Sequence, residues 1–421
     1  MRTRLYNARI LTMETEKIQK GEIWIFDSII KYIGPAKENE IGAFDIEIDA
    51  KNNLVMPGFK NAHSHSAMTF ARSYADGYPL DIWLNKIIFP MEAKLTPRDI
   101  YYFTILAYME YFSSGITSNF DMYYIPDAIY QASLDSQMRT VLCGAVNNYK
   151  DSVDFLEDCY INYNEKSSLV SFILGFHAEY TTDVSIIENI GKISQKYNAP
   201  VYMHNSETQK EVAECMKRHS LTPTQLFNKC GVYEYGGGGF HCTFLNDEDI
   251  EIFKNNKLSV IANTCSNLKL GSGVAPIHKY LESKLNIALG TDGASSNNSL
   301  NVFREMYTTA MLQNITNNTP FAIPPFELLK MCTINAANAM NLSNCSTLSI
   351  GKKADLIIID LNKPNMQPET NIINNLVYSC NAQNIILTMV DGKIVYQNGN
   401  YLTIDQEKTM YEVNKLLKTL L

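Results

Sequence analysis

The sequence predicts an α/β protein: a (β/α)8, TIM-like barrel carrying a small β-sandwich domain formed by the N- and C-terminal segments. Three observations predict it. Eight apolar runs alternate with helical patterns through the middle of the chain, as parallel strands and their crossover helices do. Short strands punctuated by turn residues occupy both ends. Five of the seven histidines fall at the ends of the central runs, where a barrel gathers its functional side chains.

The 421 residues exceed the roughly 250 of a barrel and leave room for a second unit. Hydrophobic residues make up 46% and charged residues 19%, which argues for an ordered globular chain and against disorder. The net charge of −8 offers phosphates no basic surface, so a small molecule rather than nucleic acid is the expected partner. No stretch approaches the roughly 18 uninterrupted apolar residues of a membrane span. The charged residues of Met1 to Tyr6 are not followed by an apolar leader, so a cytoplasmic protein with no membrane partner is expected. Nine cysteines without a CxxC pair read as free, mostly buried thiols. Composition leaves open whether the chain forms a homo-oligomer.

Residues 1–56 read as short strands at 5–11, 21–27, 29–33 and 46–49. The same grammar returns over 350–421, with strands at 354–360, 385–390 and 393–396, Asp391-Gly392 as a hairpin turn and Asn398-Gly399 as a further turn signal. Too few strands to close a core alone need partners. The two ends are therefore expected to build one β-sandwich domain beside a barrel of residues 57–349. Candidate barrel strands are 54–63, 116–121, 140–146, 170–178, 200–205, 239–243, 258–264 and 286–292. Thr96-Pro97-Arg98-Asp99 starts a helix, with an N-cap hydroxyl and proline at N1. Ile100, Phe103, Ala107 and Tyr111 continue its apolar face, and Gly115 ends it. Segments 191–197 and 246–255 read as similar connecting helices.

On this assignment the first strand ends in His63 and His65, whose side chains point the same way because strand residues alternate. The fourth strand carries His177, the fifth ends in His204, the sixth holds His241 and the eighth ends in Asp292. His219 and His278 lack such positions and read as surface residues. Three imidazoles and one carboxylate, from His63, His65, His204 and Asp292, would hold one divalent cation and leave a place for water. Zinc suits such a set best, and iron also fits. The fourth strand has no lysine to bridge a second metal, so one ion per subunit is expected. A bound zinc lowers the pKa of its water toward about 7.

The chain resembles the amidohydrolase superfamily over nearly its whole length, and within it the deaminases of 5′-methylthioadenosine and S-adenosylhomocysteine. The resemblance rests on Pro57-Gly58 followed by His63-Ser64-His65; Trp83-Leu84 with Pro90-Met91-Glu92; Gly175-Phe176-His177; His204-Asn205-Ser206-Glu207-Thr208; His241-Cys242; Asn267-Leu268-Lys269-Leu270-Gly271-Ser272-Gly273; Gly290-Thr291-Asp292-Gly293-Ala294-Ser295-Ser296-Asn297-Asn298; and Gly351 with Ala354-Asp355-Leu356. It implies His63, His65, His204 and Asp292 as metal ligands. It implies Glu207 as proton shuttle, and His241 as the group that positions the attacking oxygen and polarises the reacting centre. Asp292 also accepts a proton from water, and Glu92 and His177 contact substrate.

Trp83 and Phe89, in the long connection 66–96, are expected to wall a purine or a thioether. Ser296 joins Glu92, His177, Glu207 and Asp292 among the expected substrate contacts. A carboxylate such as Glu92 can accept both hydroxyls of a ribose, which points to a nucleoside substrate. Family members that hold the carboxylate of S-adenosylhomocysteine are expected to place arginines after the third strand. Residues 143–155 contain only Lys150 as a cation, so nucleosides with a small neutral 5′ group are favoured. Deamination or dechlorination of another ring, such as guanine, 8-oxoguanine, a pterin or a triazine, uses the same metal chemistry and is the second reading. A metal-free scaffold is the third.

Overall fold

The computed structural model describes residues 1–37, 44–74 and 76–420. Eight parallel strands form the barrel: Phe59–Ser64, Ile116–Met122, Arg139–Cys143, Val170–Ala178, Val201–Asn205, Gly237–His241, Ser259–Ala262 and Asn286–Leu289. Each is hydrogen-bonded to the next in chain order. The seam between the last and the first is stitched by a side chain. Asn61 donates from Nδ2 to Thr291 Oγ1 at 2.7 Å and accepts the Thr291 N–H at 2.8 Å. One residue further on, the Asp292 N–H donates to the His63 carbonyl at 3.0 Å.

Alternate strand residues fill the barrel. Ala62, Phe120, Val141, Ile173, Tyr202, Phe240, Ile261 and Ala288 pack in its interior over Ala336, Ala337 and Met340. The lumen is thus a core and not a channel. Function is left to the rim at the C-terminal strand ends.

The run 54–63 divides into two strands that belong to different sheets. Leu54–Pro57 pairs with Leu356–Ile359 and with Arg2–Leu11, whereas Phe59–Ser64 opens the barrel. Gly58 makes the crossing, and a Cβ there would lie 2.1 Å from Thr117 Cγ2, so any larger residue would have to displace the buried Thr117 side chain. Apolar periodicity alone does not register such a division, because both pieces are wholly buried.

Strands from both termini build a separate nine-stranded sheet, as expected, with its own apolar cluster. Asp391 and Gly392 take φ of 51° and 78°, and Asn398 and Gly399 take 49° and 87°, the left-handed pairs that tight hairpins need. Residues 350–421 also contain two helices, Ile372–Tyr378 and Gln406–Leu420. The second packs on the helix Pro97–Ser113, where Arg98 meets Glu412 at 2.7 Å. That first helix has the anticipated Thr96 and Asp99 capping box and buries Ile100, Phe103, Ala107 and Tyr111.

Beneath the barrel, Arg139 grips Asp355 through two bonds of 2.6 and 3.0 Å, joining the third barrel strand to the terminal sheet. Both are almost fully buried. Losing either partner would strand a charge, at a cost of about 3–5 kcal/mol. The nine cysteines are free, and all but Cys230 are buried. Among the described residues no helix is long and apolar enough to cross a membrane.

Candidate active site

His63 and His65 stand at the end of the first barrel strand with ring centroids 4.8 Å apart. His204, from the fifth strand, lies 5.1 Å from the first ring and 5.4 Å from the second. Asp292 follows the eighth strand in a left-handed conformation, φ 60°. Its Oδ1 is 3.3 Å from His65 Nε2 and 3.7 Å from His63 Nε2.

The imidazoles are oriented from behind. His65 donates from Nδ1 to the Met122 carbonyl at 2.5 Å, and His204 from Nδ1 to the His177 carbonyl at 2.7 Å. A ring so held carries its proton on Nδ1 and turns the Nε2 lone pair inward. His63 is fully buried and neither of its nitrogens has a partner. Such an orphan is expensive in a dry site unless something coordinates it. Burial and the neighbouring imidazoles keep His63 and His204 well below the ordinary histidine range, hence neutral and able to bind a cation. Ligand atoms of His63, His65 and Asp292 lie within 4.8 Å of one another, as do those of His63, His204 and His241. His63 thus belongs to both triads, one with His65 and Asp292 and one with His204 and His241, and a donor set of imidazoles and one carboxylate fits a divalent cation with nitrogen and oxygen preferences.

Asp292 is kept ionised by its surroundings. Burial opposes its charge, yet His65, His241 and a hydrogen bond from Ser266 hold it below the usual carboxylate range. Its Oδ2 accepts Ser266 Oγ at 2.6 Å and Ser296 Oγ at 2.9 Å, and its Oδ1 accepts the Gly293 N–H at 2.8 Å. Ser296, expected as a substrate contact, is buried with its hydroxyl on Asp292, and it stands behind that carboxylate rather than among the residues that line the cleft.

Glu207 sits in the turn after the fifth strand, 3% exposed. Burial pushes its carboxyl up, opposed by His241 and reinforced by Asp292. Ser272 Oγ donates to its Oε1 at 2.9 Å, and its Oε2 faces His241 Nε2 at 3.7 Å. Burial lowers the His241 pKa, but Glu207 and Asp292 outweigh it and the value is raised. A buried acid and an imidazole facing one another beside a cation site can exchange protons with a bound ring.

The remaining expected residues line the same cleft. Glu92 is buried on its wall. Burial pushes its carboxyl up, partly offset by the Tyr123 hydroxyl and the Lys150 cation. His177, half-buried, is driven down to about 3 by burial and by His65 and His241, and its Nδ1 meets Thr181 Oγ1 at 2.8 Å. Trp83 is buried with its indole N–H unpartnered. The connection expected as a loop is largely helical, with Ser66–Ala71, the π-turn Trp83–Ile88 and Phe89–Glu92 in succession. Next to Phe89 a second hollow is walled by Tyr124, Asn147, Lys150 and Tyr180. His219 and His278 stand apart, against Glu179 and the Ala322 carbonyl.

Sequence reasoning assigned no role to Ser266, Ser272 or Asn267. The last accepts His241 Nδ1 at 2.7 Å. Asn267 and Ser272 fall inside a motif singled out for its resemblance, yet small polar residues acquire such roles only from the partners the fold brings to them.

Residues 54–395 match the amidohydrolase family. The chain is 35% identical over 424 residues to the 5-methylthioadenosine/S-adenosylhomocysteine deaminase of Caldanaerobacter subterraneus subsp. tengcongensis, covering 99% of this chain and 98% of that one. It is 37% identical over 429 residues to the deaminase of the same name from Syntrophomonas wolfei, covering 100% and 99%. Among solved structures, a zinc-bound adenosine deaminase from Xanthomonas campestris superposes with a TM-score of 0.93 at 23% identity, over 99% of this chain and 98% of that one.

Proposed function

The chain belongs to the amidohydrolase family and is a metal-dependent hydrolase of C–N bonds, and from that premise we propose that it deaminates adenosine-type nucleosides. The products are the inosine analogue and ammonia. 5′-Methylthioadenosine, 5′-deoxyadenosine and adenosine are the favoured substrates. The observation that carries this reading is the position of Glu92. A buried carboxylate with acceptor capacity for two hydroxyls lines the same cleft as Glu207, His241 and the ligand cluster, which suits a ribose on one side of the reacting base. The relatives' printed name supports it.

His63, His65, His204 and Asp292 would hold the cation, zinc in the first place. When bound, it makes water acidic enough to attack at neutral pH. The residues of the chain then divide the proton traffic. Asp292, ionised and held by Ser266 and Ser296, takes the proton that the attacking water gives up. Glu207, kept protonated more readily by burial, hands its proton to the ring nitrogen beside the amino-bearing carbon; the proton taken by Asp292 passes to the departing amine, and the proton of the added hydroxyl returns to Glu207 as the carbonyl forms. His241 positions the incoming oxygen with the nitrogen that faces Glu207. Neutral His177 and the free indole N–H of Trp83 offer the purine and sugar hydrogen bonds.

The preference for a small neutral 5′ group follows from what lies beyond Phe89. Lys150 is the one cation of 143–155, and its Nζ stands 4.0 Å from the centre of the Tyr124 ring. It presents a single charge on a flexible stem where a bidentate arginine would grip a carboxylate. Catalytic efficiency for 5′-methylthioadenosine should exceed that for S-adenosylhomocysteine by about tenfold or more, the value of one charge-assisted hydrogen bond. Equal efficiencies would remove the preference.

A further inference from the structure

Glu211 is an acidic side chain that the chemistry above leaves unused, and burial together with the neighbouring Glu207 pushes its carboxyl up to about 8. It is 4% exposed, and the cations beside it in sequence are taken: Lys210 by Asp81, Arg218 by Glu179 and Glu214. Burying a carboxylate without a cation is costly unless hydrogen bonds to it are good. Those bonds come from backbone. Glu211 Oε1 accepts the Ser206 N–H at 3.1 Å, and Oε2 accepts the Glu207 N–H at 2.7 Å.

Glu211 is the third residue of the helix Gln209–His219, whose N-cap Thr208 accepts its N–H at 3.1 Å. In an ordinary capping box the acid at this position turns back to the N-cap amide. Here it reaches past Thr208 to the two residues before it. Ser206 is in a left-handed conformation, φ 51°, which a residue with a side chain holds only when its surroundings fix it. The turn so fixed joins His204 to Glu207, and it decides where the Glu207 carboxyl points.

We propose that Glu211 is a positioning residue: its two carboxylate oxygens clamp the Ser206 and Glu207 amides and so set Glu207 against His241 and Ser272. This role rests on Glu207 being the proton shuttle of the proposed reaction. A helix-capping role alone would stabilise the protein without reaching the proton transfer.

Glu211→Gln keeps size and fold but offers only one acceptor for the two amides. With metal content unchanged, kcat for 5′-methylthioadenosine should fall about tenfold or more while KM moves less than about threefold, the pattern of an interaction lost in the transition state. On a Glu207→Gln background the same change should cost almost nothing further, because residues that act as one unit are not additive. Hydrogen exchange, which needs no substrate, should speed up over residues 203–208 in Glu211→Gln and stay as it was in the strand Val170–Ala178. Unaltered exchange over 203–208 would overturn the clamp, and losses that multiply in the double variant would overturn its action through Glu207. If the wild type releases no ammonia from any nucleoside, the functional reading fails, and the exchange comparison still decides whether Glu211 holds the turn.

Discussion

His241 Nδ1 donates to Asn267 Oδ1 at 2.7 Å, and that bond turns the other ring nitrogen of His241 toward Glu207, 3.7 Å away. Asn267 is itself fixed, with its Nδ2 donating to Thr243 Oγ1 at 3.2 Å. The amide orientation is thereby settled by two partners of opposite kind. Removing the acceptor frees the imidazole to take the other tautomer. Asn267→Leu should therefore lower kcat by about 10- to 100-fold, the usual cost of losing the partner of an active-site imidazole. Metal analysis should show full loading, and an unchanged kcat would mean that His241 is oriented by something else.

Glu207 faces His241 with its Oε2 3.7 Å from Nε2 and is not one of the four residues proposed to hold the cation. Glu207→Gln retains the hydrogen bond from Ser272 but cannot shuttle a proton. A loss of about 10²- to 10⁴-fold in kcat is expected. Metal content, read by elemental analysis, should stay at one ion per chain.

In the proposed reaction, Glu92 holds the sugar and takes no part in the ring chemistry. Glu92→Gln keeps one acceptor of the two that ribose hydroxyls would use. Its kcat/KM for 5′-methylthioadenosine should drop about 10- to 100-fold, since a hydrogen bond to a charged group contributes about 1.5–3 kcal/mol. Steady-state kinetics with the 2′,3′-dideoxy analogue provide the control. The variant and the wild type should handle that analogue alike, and a persisting difference would detach Glu92 from the ribose.

Much of this architecture was legible in the residues. The eight runs gave the barrel because buried parallel strands are continuous apolar stretches, and His63, His65, His204 and Asp292 stood out because polar groups at strand ends are exceptions to that pattern. What stayed hidden depends on distant partners. The passage from one sheet to another at Gly58 is invisible where both sides are buried. The roles of Asn61 in closing the barrel and of Ser296 behind Asp292 follow from contacts 230 and 4 residues away, and side chains of that kind occur throughout any loop. The helical turns Ser66–Ala71, Trp83–Ile88 and Phe89–Glu92 carry no clear periodic signal, because they are short and of mixed type.

Lys60 gives the stability a recognisable pH signature. Its side chain is fully buried under the barrel with Nζ on the Gly58 carbonyl at 2.7 Å, and burial lowers its pKa from 10.5 to about 8. Between those values the unfolded chain holds the proton and the folded chain has released it, so this group makes stability rise with pH across that window. The shift corresponds to about 3 kcal/mol. Lys60→Met removes the titration, so the melting temperature of the wild type should climb relative to the variant from about pH 8 to pH 10. A difference that is constant over that range would contradict a buried, depressed Lys60.

In the proposed function, Glu92 and the cluster around Asp292 serve hydrolytic deamination of a nucleoside. Its most direct test is ammonia release by the zinc-loaded protein from 5′-methylthioadenosine and adenosine, set beside guanine and a chlorinated triazine. One equivalent of ammonia with the inosine analogue from the nucleosides, and no product from guanine or the triazine, is the predicted result. Turnover of the free base or the triazine with none from any nucleoside would contradict it.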